Sequence, residues 1–189
     1  MNLQMLVDNA IQAQRANEML SSPQLTLGEL ILKLEAVSDK ELPVTFDDKK
    51  YKPTGLGSWR GSYRELAIQY EFGGATCYEQ PKPDCLMDDP PFGRDHSYKC
   101  PCGGTLKHST SLPENPTVSD LLKVLKTAVG KYFVGYKGGD FTMGKTTPVW
   151  VANDGNSSGF KEGANGYESQ MVVDVKESKK SVTLVTATD

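Results

Sequence analysis

Apolar residues recur at helical spacing in three places along this chain and at alternating spacing in several others. Leu3, Leu6, Val7, Ala10 and Ile11 share one face of a helix predicted over residues 2–20, extended by Met19 and Leu20. Ser21-Ser22-Pro23 stops it and sets it apart from the next helix. That second helix starts at Thr26, where TLGE reads as a capping box: the threonine serves the backbone of Glu29 and Glu29 serves the threonine in return. Leu27, Leu30, Ile31 and Leu34 form its buried stripe, and it ends before Lys40-Glu41-Leu42-Pro43. A third helix starts the same way at Thr117, with Asp120 three residues on and Val118, Leu121, Leu122 and Leu125 as its apolar face.

Between and after these helices the period shortens to two. Val44-Thr45-Phe46 starts a strand, and Asp47-Asp48-Lys49-Lys50 reads as a solvated turn. Residues 55–70, GLGSWRGSYRELAIQY, read as a Gly-rich loop feeding a strand over 65–72, in which Leu66, Ile68 and Tyr70 alternate. Strands are also predicted over 132–136 and 148–152, separated by the polar loop YKGGDFTMGKTTP. Residues 153–166 read as a flexible loop. Residues 171–175 and 182–186 form a closing hairpin around KESKKS. The two capped helices align, TLGELILKL with TVSDLLKVL, and each precedes a strand, a Gly-rich loop and another strand. The expected fold is α+β: two helix–strand–loop–strand units, an internal duplication or two short capped helices alike by physics alone, forming an antiparallel or mixed sheet with two to three helices.

Residues 73–115 break the pattern. They carry all four cysteines, both histidines and six of the eleven prolines, with no apolar period, and are too long for an ordinary connection. The expected organisation is a helix at 1–22 that packs at home or on a partner or second copy, then one domain over 23–189 interrupted by this Cys/Pro-rich insertion. A segment that polar cannot bury a core of its own, and metal would supply roughly 10 kcal/mol or more of folding energy. Cys77, Cys85, Cys100 and Cys102 make a candidate four-thiolate zinc site, with His96 or His108 able to replace one ligand; CPCGG resembles half of a zinc-ribbon knuckle, but the first half lacks the close pair. The alternative is four unrelated thiols, reduced or oxidised on exposure to air.

Composition narrows the partners. A net charge of -3 argues against general binding to nucleic-acid backbones. The mean hydropathy of -0.45 and the absence of a long apolar run exclude a membrane-spanning helix. The first twenty residues lack the marks of a secretory signal, so a soluble intracellular protein is expected. The densest chemistry lies in the two Gly-rich loops. Ser58, Trp59, Arg60, Tyr63 and Arg64 in one, with Lys137, Gly138, Gly139, Asp140 and Lys145 in the other, would surround an anion, a base or a protein partner if both loops left the same end of the sheet. Neither loop is a P-loop, because GK at Gly144-Lys145 lacks the earlier glycine. The plainer alternatives are a core role for Trp59, surface salt bridges for Arg60 and Arg64 with Glu65, and a turn role for Asp140. No nucleophile elbow, HExxH or dinucleotide fingerprint occurs, so the chain reads as a binding protein rather than an enzyme.

The runs TLGELILKL, PVTFDD, PTGLGSWRGSYRELAI and PTVSDLLKVLKTAVGKYFVGYKGGDFTMGKTTPVWVANDG resemble a group of small accessory proteins of tailed bacteriophages and prophages. The resemblance covers most of the chain outside the first twenty residues and the insertion. It implies no activity, cofactor or catalytic residue, only a setting, the cytoplasm of a bacterial host. Two functions are expected from it. The first is a non-enzymatic host-takeover or anti-defence protein that binds a bacterial protein, with the N-terminal helix available for self-association. The alternative is a nucleotide-binding protein, a sponge for a defence signal or a weak hydrolase, using the Gly/Arg/Lys loops.

Overall fold

A computed structural model describes residues 24–59, 65–71, 73–79, 107–134, 140–153, 159–163, 166–167 and 169–188. The helix expected over 2–20 lies outside them. Both capped helices form: α1 (Leu27–Ala36) and α2 (Val118–Ala128). Each carries a complete capping box. Thr26 Oγ1 accepts from Glu29 N and the Glu29 carboxylate accepts from Thr26 N; Thr117 and Asp120 repeat the arrangement. α2 ends on Val129, and Gly130 follows at φ +75, the left-handed position that glycine fills without strain.

The strands are β1 (Val44–Phe46), β2 (Gly55–Trp59), β3 (Glu65–Gln69), β4 (Thr76–Tyr78), β5 (Lys107–Ser109), β6 (Tyr132–Val134), β7 (Asp140–Thr142), β8 (Val149–Ala152), β9 (Glu162–Gly163), β10 (Gly166–Tyr167), β11 (Gln170–Glu177) and β12 (Val182–Thr188). Six of them form a mixed sheet in the order β1-β12-β11-β8-β3-β2, in which β1–β12 and β3–β8 are parallel. Four make a second, antiparallel sheet, β5-β4-β6-β7, and β9–β10 is a short ribbon. The chain is therefore α+β, mostly sheet, with two helices among the described residues. The closing hairpin β11–β12 forms as expected, with a register shift between Val172 and Asp174.

One core lies between the helices and the inner face of the six-stranded sheet. Leu27, Leu30, Leu34, Leu121 and Leu125 meet Val44, Phe46, Leu56, Leu66, Ile68, Val149, Val151, Val172 and Leu184. The spacing explains the meeting, since every second residue of a strand faces one side.

The helix starts are tied to strands distant in sequence. The first N–H groups of a helix have no partner within it. At α1, Leu27 N donates to Thr147 O and Gly28 N to Lys145 O, both at 2.8 Å, while Val149 N donates back to Leu25 O at 3.0 Å. At α2, Val118 N donates to Leu42 O (3.0 Å), Ser119 N to Lys40 O (2.9 Å), and Val44 N back to Pro116 O (2.8 Å). Each helix start is thus stitched to the segment that leads into the strand of the other half, through Thr26↔Pro148 and Thr117↔Pro43 bridges. The strands expected to be counterparts part company: β1 belongs to the six-stranded sheet and β6 to the four-stranded one. The hydrogen bonds instead make the segment leading into β1 the counterpart of the segment leading into β8.

Three expectations change. Residues 55–59, read as loop, are strand: Gly55↔Gln69 through Trp59↔Glu65 form an antiparallel ladder. The glycines there serve close approach rather than turning. A Cβ on Gly55 would lie 2.3 Å from the Gly74 backbone, and one on Gly57 would lie 2.4 Å from Gln69 Nε2. The Cys/Pro-rich stretch also shrinks. Ala75 N donates to Leu56 O, Leu112 N to Thr54 O, and Thr110 is fully buried, so both flanks of that stretch belong to the fold. The β4–β5 ladder closes its base, leaving residues 80–106 outside the described residues. Finally, Asp47 is not a solvated turn residue, unlike Asp48, whose carboxylate accepts from Lys50 N and Tyr51 N. Asp47 accepts from Lys161 Nζ (2.9 Å), Thr186 N (3.2 Å) and Thr186 Oγ1 (2.8 Å). Gln170 continues the network, donating to Thr186 Oγ1 at 2.5 Å and accepting from Phe160 N at 2.9 Å. Phe160 packs on Phe46, Tyr51 and Tyr70 with ring centres 5.3–5.5 Å away, so part of the expected loop 153–166 is pinned to the sheet.

Candidate functional site: the tryptophan face of the sheet

The outer face of the six-stranded sheet, away from the helices, is built by the residues between those of the core. Gly57, Ala67, Trp150 and Met171 lie in one row across β2, β3, β8 and β11. Trp59 and Glu65 face one another two residues along. Gly57 and Ala67 are too small to fill this row, and the large rings on either side close over it. Trp59 reaches across β3 and stacks on Trp150, with ring centres 4.0 Å apart and planes 7° from parallel. Trp150 Nε1 donates to Glu65 Oε2 at 2.7 Å. Gln69, 6% exposed, folds its carboxamide over Gly57.

This face carries an imbalance that the inner face lacks. Among the described residues, two buried side-chain polar atoms have no hydrogen-bond partner, Trp59 Nε1 and Gln69 Oε1, and both belong to this patch. One is a donor and the other an acceptor.

The other expected site residues separate. Ser58 lies on β2, half-buried beside Trp59. Lys145 belongs to the helix layer on the opposite side of the sheet, its carbonyl taken by Gly28 N and its side chain exposed. The start of α1, a natural anion site if open, is closed by the carbonyls of Lys145 and Thr147. Asp140 begins β7, opposite Val134. Arg60, Tyr63, Arg64, Lys137, Gly138 and Gly139 lie outside the described residues. Sequence reasoning found Trp59 but missed its partners. Trp150, Glu65 and Gln69 sit on two other strands, and only alternation along VWVA and RELAIQ hinted at a second face.

Of the expected zinc ligands, Cys77 and His108 are described and stand directly opposite one another on β4 and β5. Cys77 is fully buried in the hydrophobic core, and burial pushes its thiol up from its ordinary pKa. The His108 ring pairs with Glu79 at 2.6 Å, and Lys131 reaches the other oxygen of the same carboxylate at 2.6 Å. The hydrogen bond from Lys131 first, and that of His108 second, hold Glu79 below its ordinary pKa. Cys85, His96, Cys100 and Cys102 lie outside the described residues, and among the described ones no three His, Cys, Asp or Glu side chains gather as metal ligands. No described helix is long and apolar enough to cross a membrane. No protein-family model, curated protein or solved structure matches the chain.

Proposed function

We propose that this chain is a non-enzymatic binding protein that docks a protein partner on the tryptophan face, as a phage accessory protein engaging a protein of its bacterial host in the host cytoplasm. The observation that carries the reading is the placement of Trp59 Nε1 and Gln69 Oε1. A buried polar atom without a partner costs about 1–3 kcal/mol, and a folded protein keeps only a few of them. Both lie buried beneath one patch, beside a stacked indole pair, so an occupant satisfies them only by shifting the side chains that cover them. Tryptophan is also among the residues most often found at the energetic centre of a protein interface.

The test is capture of host proteins by the immobilised full chain, comparing wild type with Trp59→Ala and with Trp59→Phe, which keeps an aromatic ring and deletes the N–H. Loss of one captured protein with both variants, each still melting cooperatively, supports the reading. Retention by both variants overturns it. The nucleotide alternative draws on Arg60, Arg64 and Lys137 instead, and a ligand-induced rise in melting temperature across a nucleotide panel would favour it. The reciprocal bonds at the two helix starts support two related helix–strand units. Structural zinc in the Cys/Pro-rich stretch is proposed on Cys77, Cys85, Cys100 and Cys102, with His96 or His108 able to replace one of them. About one zinc per chain by elemental analysis of reduced protein, lost in Cys100→Ser, is its expected signature.

A further inference from the structure

We infer that the tryptophan face recognises a cationic side chain of its partner, an arginine or lysine seated against Trp59 with Glu65 as its counter-charge. This rests on the docking reading above and names the chemistry of the occupant. Among the described residues whose burial is given, the half-buried carboxylates are Asp47, Glu65, Glu79, Asp120 and Asp174. Asp47 is paired with Lys161, Glu79 with Lys131 and Asp174 with Lys33. Asp120 caps the start of α2, where the helix dipole favours a negative charge. Glu65 has neither a cation nor a helix start among the described residues; its Oε2 takes the Trp150 indole N–H.

That single bond fixes where the charge sits. Trp150 is held by its stack on Trp59, and Glu65 is held opposite Trp59 by the β2–β3 ladder. A fixed carboxylate at the edge of an aromatic pair is the surrounding that a guanidinium or ammonium prefers: the ring face attracts positive charge and the carboxylate adds a charge-assisted bond. The same carboxylate repels a phosphate, so this face selects a basic protein segment over a nucleotide.

The chain has two tryptophans and both belong to this face, so intrinsic tryptophan emission reports it alone. The full chain is titrated at low salt with a short peptide of alternating arginine and serine, and with the same peptide carrying citrulline for arginine, a neutral isostere. The expected result is a saturable emission change with the arginine peptide, about tenfold weaker with citrulline and weakened by added salt. Glu65→Gln should lose that tenfold preference while keeping the melt, because its carboxamide oxygen still accepts from Trp150. Equal response to both peptides, or an undiminished preference in Glu65→Gln, overturns the inference. The two readings fail separately. A captured host protein lost with Trp59→Ala and Trp59→Phe but kept by Glu65→Gln leaves the docking face standing and removes the cation; one kept by both Trp59 variants removes the docking face itself.

Discussion

On its inner face the six-stranded sheet meets two helices through Phe46, Leu56, Ile68, Val151 and Leu184, and the polar groups of Asp47, Gln170 and Thr186 at its margin are paired. On its outer face the same strands carry two stacked indoles, a carboxylate without a cation and two unpartnered polar atoms among the described residues. Strand alternation makes both faces from one sequence, so the difference lies in what covers each. Helices whose first N–H groups are tied to the segments leading into the strands cover the inner face. The two atoms that the outer face leaves unpaired are buried, and each carries the desolvation cost that the paired groups at the inner margin avoid.

The largest expected effects test that contrast directly. Leu121→Ala or Phe46→Ala on the inner side should cost about 3–5 kcal/mol in denaturant melts, the cost of emptying a packed site. Trp59→Ala should cost clearly less, although it deletes a larger side chain, because the residue is only half-buried. Equal losses would make the outer face part of the core and end the contrast.

Next in size is the network that pins residues 159–161. Gln170→Ala strands Phe160 N and removes a donor from Thr186, for a loss of about 1–3 kcal/mol. Its neighbour in the network, Asp47, adds a dependence on pH. Burial alone would raise its pKa, but the hydrogen bonds from Lys161 and Thr186 outweigh burial and hold it below the ordinary value. A depressed carboxylate contributes stability that is full above its unfolded pKa, about 3.9, and is lost as pH falls through the lower folded value. Urea melts taken through the acid range should show this loss in wild type and a flatter profile in Asp47→Asn.

Smaller still are the two caps. Thr26→Ala and Thr117→Ala should each cost about 1 kcal/mol, and nearly equally, since the bonds at the two helix starts match one for one. A marked inequality in thermal or urea melts would show that the two helix starts are alike in geometry but not in load. At the bottom of the scale, Glu65→Gln should change stability by less than about 0.5 kcal/mol while removing the cation response. A substantial loss of stability there would make Glu65 a structural residue of the outer face.

Both capped helices, the turn at Asp48 and the hairpin β11–β12 were legible in the sequence, because each depends on residues three or four positions apart or on a short turn. The four-residue logic of a capping box needs no distant partner, and alternating β-branched residues on either side of KESKKS have a neighbour close in the chain. The α+β class followed from these local signals.

Tertiary structure alone decided the rest. The glycines of GLGSW read as a loop because glycine usually marks one; here a second backbone, from Gly74, and the Gln69 side chain occupy the space a Cβ would need. The parallel pairs β1–β12 and β3–β8 join residues more than a hundred and about eighty positions apart, and no local signal encodes them. Asp47 looked like half of a polar turn until Lys161 and Thr186 arrived from the far end of the chain. Trp59 announced itself by composition, but its stack on Trp150, and the carboxylate of Glu65 set beside them, exist because strands distant in sequence lie side by side. Local patterns are written by neighbours in the chain and can be read there. The face of a sheet is written by neighbours in space, and its chemistry appears only when the strands are laid in order.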